Sequence, residues 1–157
     1  MATRVFEITT GSVAYDAPFG PTVLRIAAGI PVAPGVSLLD VFLQTVGTPT
    51  LDAFNALAEP VKNNALEAFV NQQLIPLGYD PLGLEATGLI NAALTAGTYT
   101  AVFNFGWTEF DINPFTQALR VTTFGVDPYT QAELESNPDA VTNRTPRLIS
   151  QFVVTPQ

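Results

Sequence analysis

The sequence predicts an α+β fold: an antiparallel sheet built from an N-terminal strand, a C-terminal hairpin and a last strand, with a helical block over about 37–96 packed on or inserted into it. Three observations predict this. Residues 4–15 are rich in β-branched and aromatic residues, the middle third repeats its apolar residues at helical spacing, and the period returns to two from Thr98. At 157 residues the chain has the length of one ordinary domain. Its expected division is a strand at 4–15, a helical insertion at about 20–96, a hairpin at 98–126, a short helix at 130–136 and a strand at 148–155.

Taken in order, the first strand runs from Val5 to Tyr15 and breaks at Asp16-Ala17-Pro18-Phe19-Gly20-Pro21. Pro21 and Thr22 open a short helix through Ala28, ended by Gly29. Ser37 is an N-cap with Asp40 three residues on, and Leu38, Leu39, Val41, Phe42 and Val46 lie on one helical stripe. Thr48-Pro49 reads as a cap followed by proline at the first helical position. Leu51, Phe54, Leu57, Val61, Ala65, Phe69 and Leu74 continue the stripe. Pro60 within it removes a hydrogen bond and clashes with the preceding turn, which predicts a kink or two abutting helices. Leu77-Gly78-Tyr79-Asp80-Pro81 is a loop, and Glu85 to Ala96 a further helix. Thr98–Ile112 and Leu119–Val126 are strands joined by Asn113-Pro114-Phe115-Thr116-Gln117, a hairpin. Thr130-Gln131-Ala132-Glu133 starts a short helix that Asn137-Pro138 stops. Leu148 to Thr155 is the last strand.

Composition narrows the chemistry. The chain holds no histidine and no cysteine, so a thiol nucleophile, a histidine base and a disulfide staple are excluded for it. Six basic residues against 14 acidic ones give a net charge of −8. The cations Arg4, Arg25, Lys62, Arg120, Arg144 and Arg147 are scattered, so neither a run of phosphates nor an anionic membrane surface is an expected partner. Charged residues make up 13% of the chain, about half the usual share of ~25%. Mean hydropathy is +0.27. Either apolar area is buried against another chain or segment, or the surface is polar without charge through Thr, Asn and Gln. Every apolar run is interrupted before the ~20 residues of a membrane span, and Met1–Glu7 lacks the pattern of a signal peptide.

Carboxylates are the strong acid–base groups available. Glu7, Glu109 and Asp111 lie on expected strands, and alternation puts Glu109 and Asp111 on one face. Such a pair suits a glycosidase or a calcium ion, or is a solvated strand face. Asp111-Ile112-Asn113 matches part of a calcium loop without its glycine or closing glutamate. Ser12 and Ser150 are hydroxyl nucleophiles with no histidine to activate them. Asn143-Arg144-Thr145 is a glycosylation sequon. Tyr99, Phe103, Phe105, Trp107, Phe110, Phe115 and Phe124 are either the packing of the hairpin or a stacking platform for sugar, with Phe103, Phe105 and Trp107 expected on one face.

Two stretches carry a family resemblance. Phe6-Glu7-Ile8-Thr9-Thr10-Gly11-Ser12-Val13, followed by Asp16-Ala17-Pro18, resembles the strand near the end of alkaline phosphatase D-like metallophosphoesterases. Phe105-Gly106-Trp107-Thr108-Glu109-Phe110-Asp111-Ile112 with Leu119-Arg120-Val121-Thr122-Thr123-Phe124 is similar to their closing hairpin. The tail from Asp127-Pro128-Tyr129 through Arg144-Thr145-Pro146-Arg147 to Gln151-Phe152 looks like the bacterial secreted members. The match covers the two ends of the chain, and the helical middle reads as an insertion. The family's catalysis depends on metal-bound Asp, Asn and His side chains, with divalent metals such as calcium or iron. That pattern is missing here, so no catalytic, metal or cofactor-binding residue is carried over. The resemblance implies a C-terminal portion or relative of a phosphatase-like protein, extracellular or periplasmic. Its partner would be the missing catalytic segment or a second copy, and it would act by sheet completion and interaction. A self-associating extracellular structural protein and a carbohydrate-binding module are the competing expectations.

Overall fold

A computed structural model describes residues 8, 17–84, 88 and 90–156. The expected strand at 4–15 lies outside them, Ile8 apart. Within them the α+β class holds, as a helical layer followed by an antiparallel sheet.

Helix α1 spans Phe19–Ala28, opening two residues before the predicted Pro21 and closing at Gly29, whose N–H donates to the Ile26 carbonyl at 2.9 Å. A short antiparallel pair that the sequence reading missed, β1 (Pro31–Ala33) and β2 (Val36–Ser37), leads into helix α2, Leu38–Val46. The predicted cap forms in full. Ser37 Oγ accepts from the Asp40 N–H at 3.2 Å, and Asp40 Oδ2 accepts from the Ser37 N–H at 2.7 Å.

Helix α3 (Leu51–Asn55) is capped by Thr50, not Thr48. The reason lies in how α2 ends. Gly47 takes the left-handed conformation at φ 77°, which lets the Thr48 N–H close back on the Leu43 carbonyl at 3.0 Å. Thr48 thereby finishes one helix, and extended Thr50 offers its hydroxyl to the Ala53 N–H at 3.1 Å to start the next. Pro60 acts as expected. It sits in the first turn of helix α4 (Glu59–Leu74), so α3 and α4 are separate, abutting helices. A 3₁₀ turn at Ile75–Leu77 ends the block.

The helical layer has its own aromatic core. Phe42 meets Phe54 at 5.0 Å and Phe69 at 5.2 Å, both edge to face, and Phe54 meets Phe103 at 5.8 Å. Leu24, Leu43 and Leu66 complete the cluster. None of its members comes from a strand; Val102 and Phe103 are the residues that reach it from the C-terminal half.

The sheet has the order β3–β6–β5–β4, all antiparallel, with β3 Ala92–Ala96, β4 Phe105–Ile112, β5 Leu119–Val126 and β6 Arg147–Val154. Two expectations fail here. The helix predicted over Glu85–Ala96 is, among its described residues, the edge strand β3. Its alanines favour a helix in isolation, but pairing with β6 decides the matter, as tertiary context commonly does. Gly97 then turns the chain at φ 67°, where a Cβ would lie 2.0 Å from the Ile149 carbonyl oxygen. The strand predicted over Thr98–Ile112 is regular only from Phe105, because Val102 and Phe103 turn away into the helical core. Phe103 therefore does not share a face with Phe105 and Trp107.

From Phe105 onward the predicted hairpin forms, with Asn113 Oδ1 accepting from the N–H groups of Phe115 and Thr116 at 2.9 and 3.0 Å. Thr130 caps helix α5 (Gln131–Ser136) as expected, through the Glu133 N–H at 3.1 Å. Asn137-Pro138 does more than stop it: Asn137 caps and Pro138 opens a further short helix, α6 (Pro138–Thr142). Arg147 on β6 donates to Glu59 at 2.6 Å and Asp127 at 2.7 Å, tying the first turn of α4 to the sheet. The bond to Glu59, with that to Asp127, holds its guanidinium protonated above the ordinary range despite partial burial.

Phe103→Ala is expected to lower unfolding free energy by about 3–5 kcal/mol, as for other buried aromatics. Phe115→Ala, at a side chain 94% exposed, should change it by no more than about 0.5 kcal/mol in the same urea titrations. The Ser37 hydroxyl and N–H hold the Asp40 carboxyl below its ordinary range. A depressed folded pKa contributes stability above the unfolded value that is lost as pH falls through the folded one. Asp40→Asn should therefore flatten the decline in urea midpoint between about pH 5 and about pH 2.

Candidate functional site

The residues singled out by sequence do not converge. Glu109 and Asp111 do share one face of β4, but on an open strand: Glu109 accepts from the Trp107 indole N–H at 2.9 Å, and Asp111 stands 3.8 Å from Arg120 across the hairpin. Glu7 and Ser12 lie outside the described residues. Ser150 is 2% exposed and donates its hydroxyl to the Thr98 carbonyl, a bond that pins the turn after β3 to β6. Asn143 is exposed in the turn after α6, while its neighbour Arg144 clamps the carbonyls of Asp127 and Pro128 and pairs with Glu133. Among the described residues, no group of three or more acidic side chains is close enough to hold a metal ion. No described helix is long and apolar enough to cross a membrane.

The aromatic residues separate into three sets. Phe103 belongs to the helical core. Phe105 packs on Tyr129 at 5.3 Å, Tyr99 on Phe152 at 5.3 Å, and Trp107 stacks on Phe124 at 5.5 Å with the rings 26° from parallel. Phe110 and Phe115 are left in solvent, 51% and 94% exposed.

Where the 98–104 segment leaves the sheet plane, it opens a hollow of about 630 Å³ against α1 and the 82–84 turn. Tyr99, Trp107, Phe124 and Phe152 supply its aromatic walls, and Phe19 and Ile8 also line it. No charged side chain is among its described lining residues. Asn104 contributes an Oδ1 that is buried and has no partner. Volume and lining suit an apolar side chain or segment bearing few polar groups. Sequence reasoning had no signal for this hollow. Alternation assigns residues to faces of the hairpin, but the empty space arises only from where residues 98–104 go.

The second feature is the outer edge of β4. The Asn113 N–H donates to the Ala118 carbonyl at 2.9 Å. Counting back along an antiparallel ladder, the amides of Asp111, Glu109 and Trp107 then face β5, and those of Ile112, Phe110 and Thr108 face outward. Trp107, Phe110 and Ile112 are 41%, 51% and 64% exposed along this edge. An exposed strand edge of this length is a template for another strand.

No family model matches the chain, and no curated protein or solved structure matches it either.

Proposed function

We propose that this chain is a non-catalytic C-terminal portion or relative of a phosphatase-like protein that acts by completing a sheet and docking a neighbouring segment. The observation that carries the docking part is the β4 edge, unpaired among the described residues, with three outward amides and exposed Phe110 and Ile112, set beside a hollow with no charged side chain among its described lining residues. The phosphatase part rests on the sequence resemblance, whose hairpin residues are the ones that form this edge. Side-chain chemistry has little footing: the paired carboxylates stand on an open strand, and the described serine is spent on a backbone bond.

A second reading, self-association, is favoured by the concentration of exposed Phe110, Ile112 and Phe115 on one hairpin. Multi-angle light scattering separates the two, since a monomer at high concentration removes self-association. Hydrolysis of p-nitrophenyl phosphate with calcium, iron or zinc added tests the leading reading. It predicts no turnover above the metal-only background; turnover that requires both protein and metal would sink it.

A further inference from the structure

We infer that the β4 edge takes a basic strand, alternating Lys or Arg with apolar residues, and that it rejects a second copy of itself. The inference rests on the sheet-completion reading and names the chemistry of its partner.

A strand added to β4 must keep the pleat, so residues opposite one another share a face. One face of the exposed stretch presents Trp107, Glu109 and Asp111, and the other Thr108, Phe110 and Ile112. Pairing of two copies about a two-fold axis is therefore limited to axes that pass through a residue. An axis at Glu109 or at Asp111 puts that carboxylate opposite its own copy. An axis at Phe110 puts Glu109 opposite Asp111 twice. An axis at Thr108 or Trp107 removes this clash only by laying the partner over Phe105, which is 2% exposed and covered by Tyr129. At Ile112 the partner strand would have to be the loop, where Pro114 has no N–H to offer. In-register parallel pairing is not available, because one copy would have to pair through the amides of Trp107, Glu109 and Asp111, which already face β5. Like charges directly opposite destabilise a strand pair, so Glu109 and Asp111 guard the edge against its own copies.

The same two carboxylates favour cations. Lys or Arg at alternate positions of an incoming strand would face Glu109 and Asp111, while the intervening apolar side chains meet Phe110 and Ile112. The net charge of −8 adds attraction at longer range for such a segment.

Fluorescence anisotropy with two end-capped, labelled peptides of about eight residues tests this, one alternating Lys with Val and the other Glu with Val. The Lys peptide should bind about tenfold or more tighter than the Glu peptide at low salt. Its binding to the unaltered chain should weaken as salt rises from about 50 to about 500 mM. The Glu109→Lys/Asp111→Lys double variant should invert the preference. Equal binding, no binding, or a preference indifferent to salt and to the reversal would overturn the inference. So would a dimer in light scattering that Phe110→Pro dissociates. Metal-dependent turnover of p-nitrophenyl phosphate would instead overturn the functional reading and leave the peptide preference standing.

Discussion

Insertion of Phe103 into the helical aromatic cluster is the interaction on which the rest of the structure depends. Its ring lies 5.8 Å from Phe54 and 5.2 Å beneath the Lys62 ammonium, and it fills the space that a side chain at Gly20 would need. Hydrogen bonds fix the same segment on both sides: the Gly20 N–H donates to the Val102 carbonyl at 2.7 Å, and the Val102 N–H donates to Asn63 Oδ1 at 3.1 Å. Thr100 donates to Glu67, which is buried on α4. A short irregular stretch thus joins two layers whose cores are otherwise separate.

That anchor sets the features that bear on function. Because Thr100, Val102 and Phe103 are held by the helices, the segment that contains them is unavailable to extend β4, and the strand begins only at Phe105. The space they leave above the sheet becomes the hollow walled by Tyr99, Trp107, Phe124 and Phe152. The hairpin projects beyond it with one edge unpaired among the described residues. Its carboxylates, placed by alternation on a single face, read in sequence as a glycosidase or calcium pair or as a solvated strand face. In the fold they are edge residues whose neighbours are an indole and an arginine.

Local rules made much of this legible. The Ser37–Asp40 box, the break at Pro60, the Asn113 turn and the Thr130 cap each depend on a few neighbouring residues, and each formed. What was not legible depends on distant partners. Ala92–Ala96 has helix-favouring residues and becomes a strand only because β6 lies beside it. Thr48 looks like a cap until Gly47 commits it to the end of α2. Phe103 fits the period of the following strand yet belongs to the helices, since burial against Phe54 outweighs the gain of two more strand residues. The hollow has no sequence signature because no single element forms it.

Among the described residues β4 presents an unpaired edge, and its outward amides alternate with amides that face β5. Residue-resolved amide hydrogen exchange on the isolated chain measures this directly. Protection is expected at Trp107, Glu109 and Asp111, and rapid exchange at Thr108, Phe110 and Ile112. Protection at all six positions would contradict it, because the edge would then already be paired.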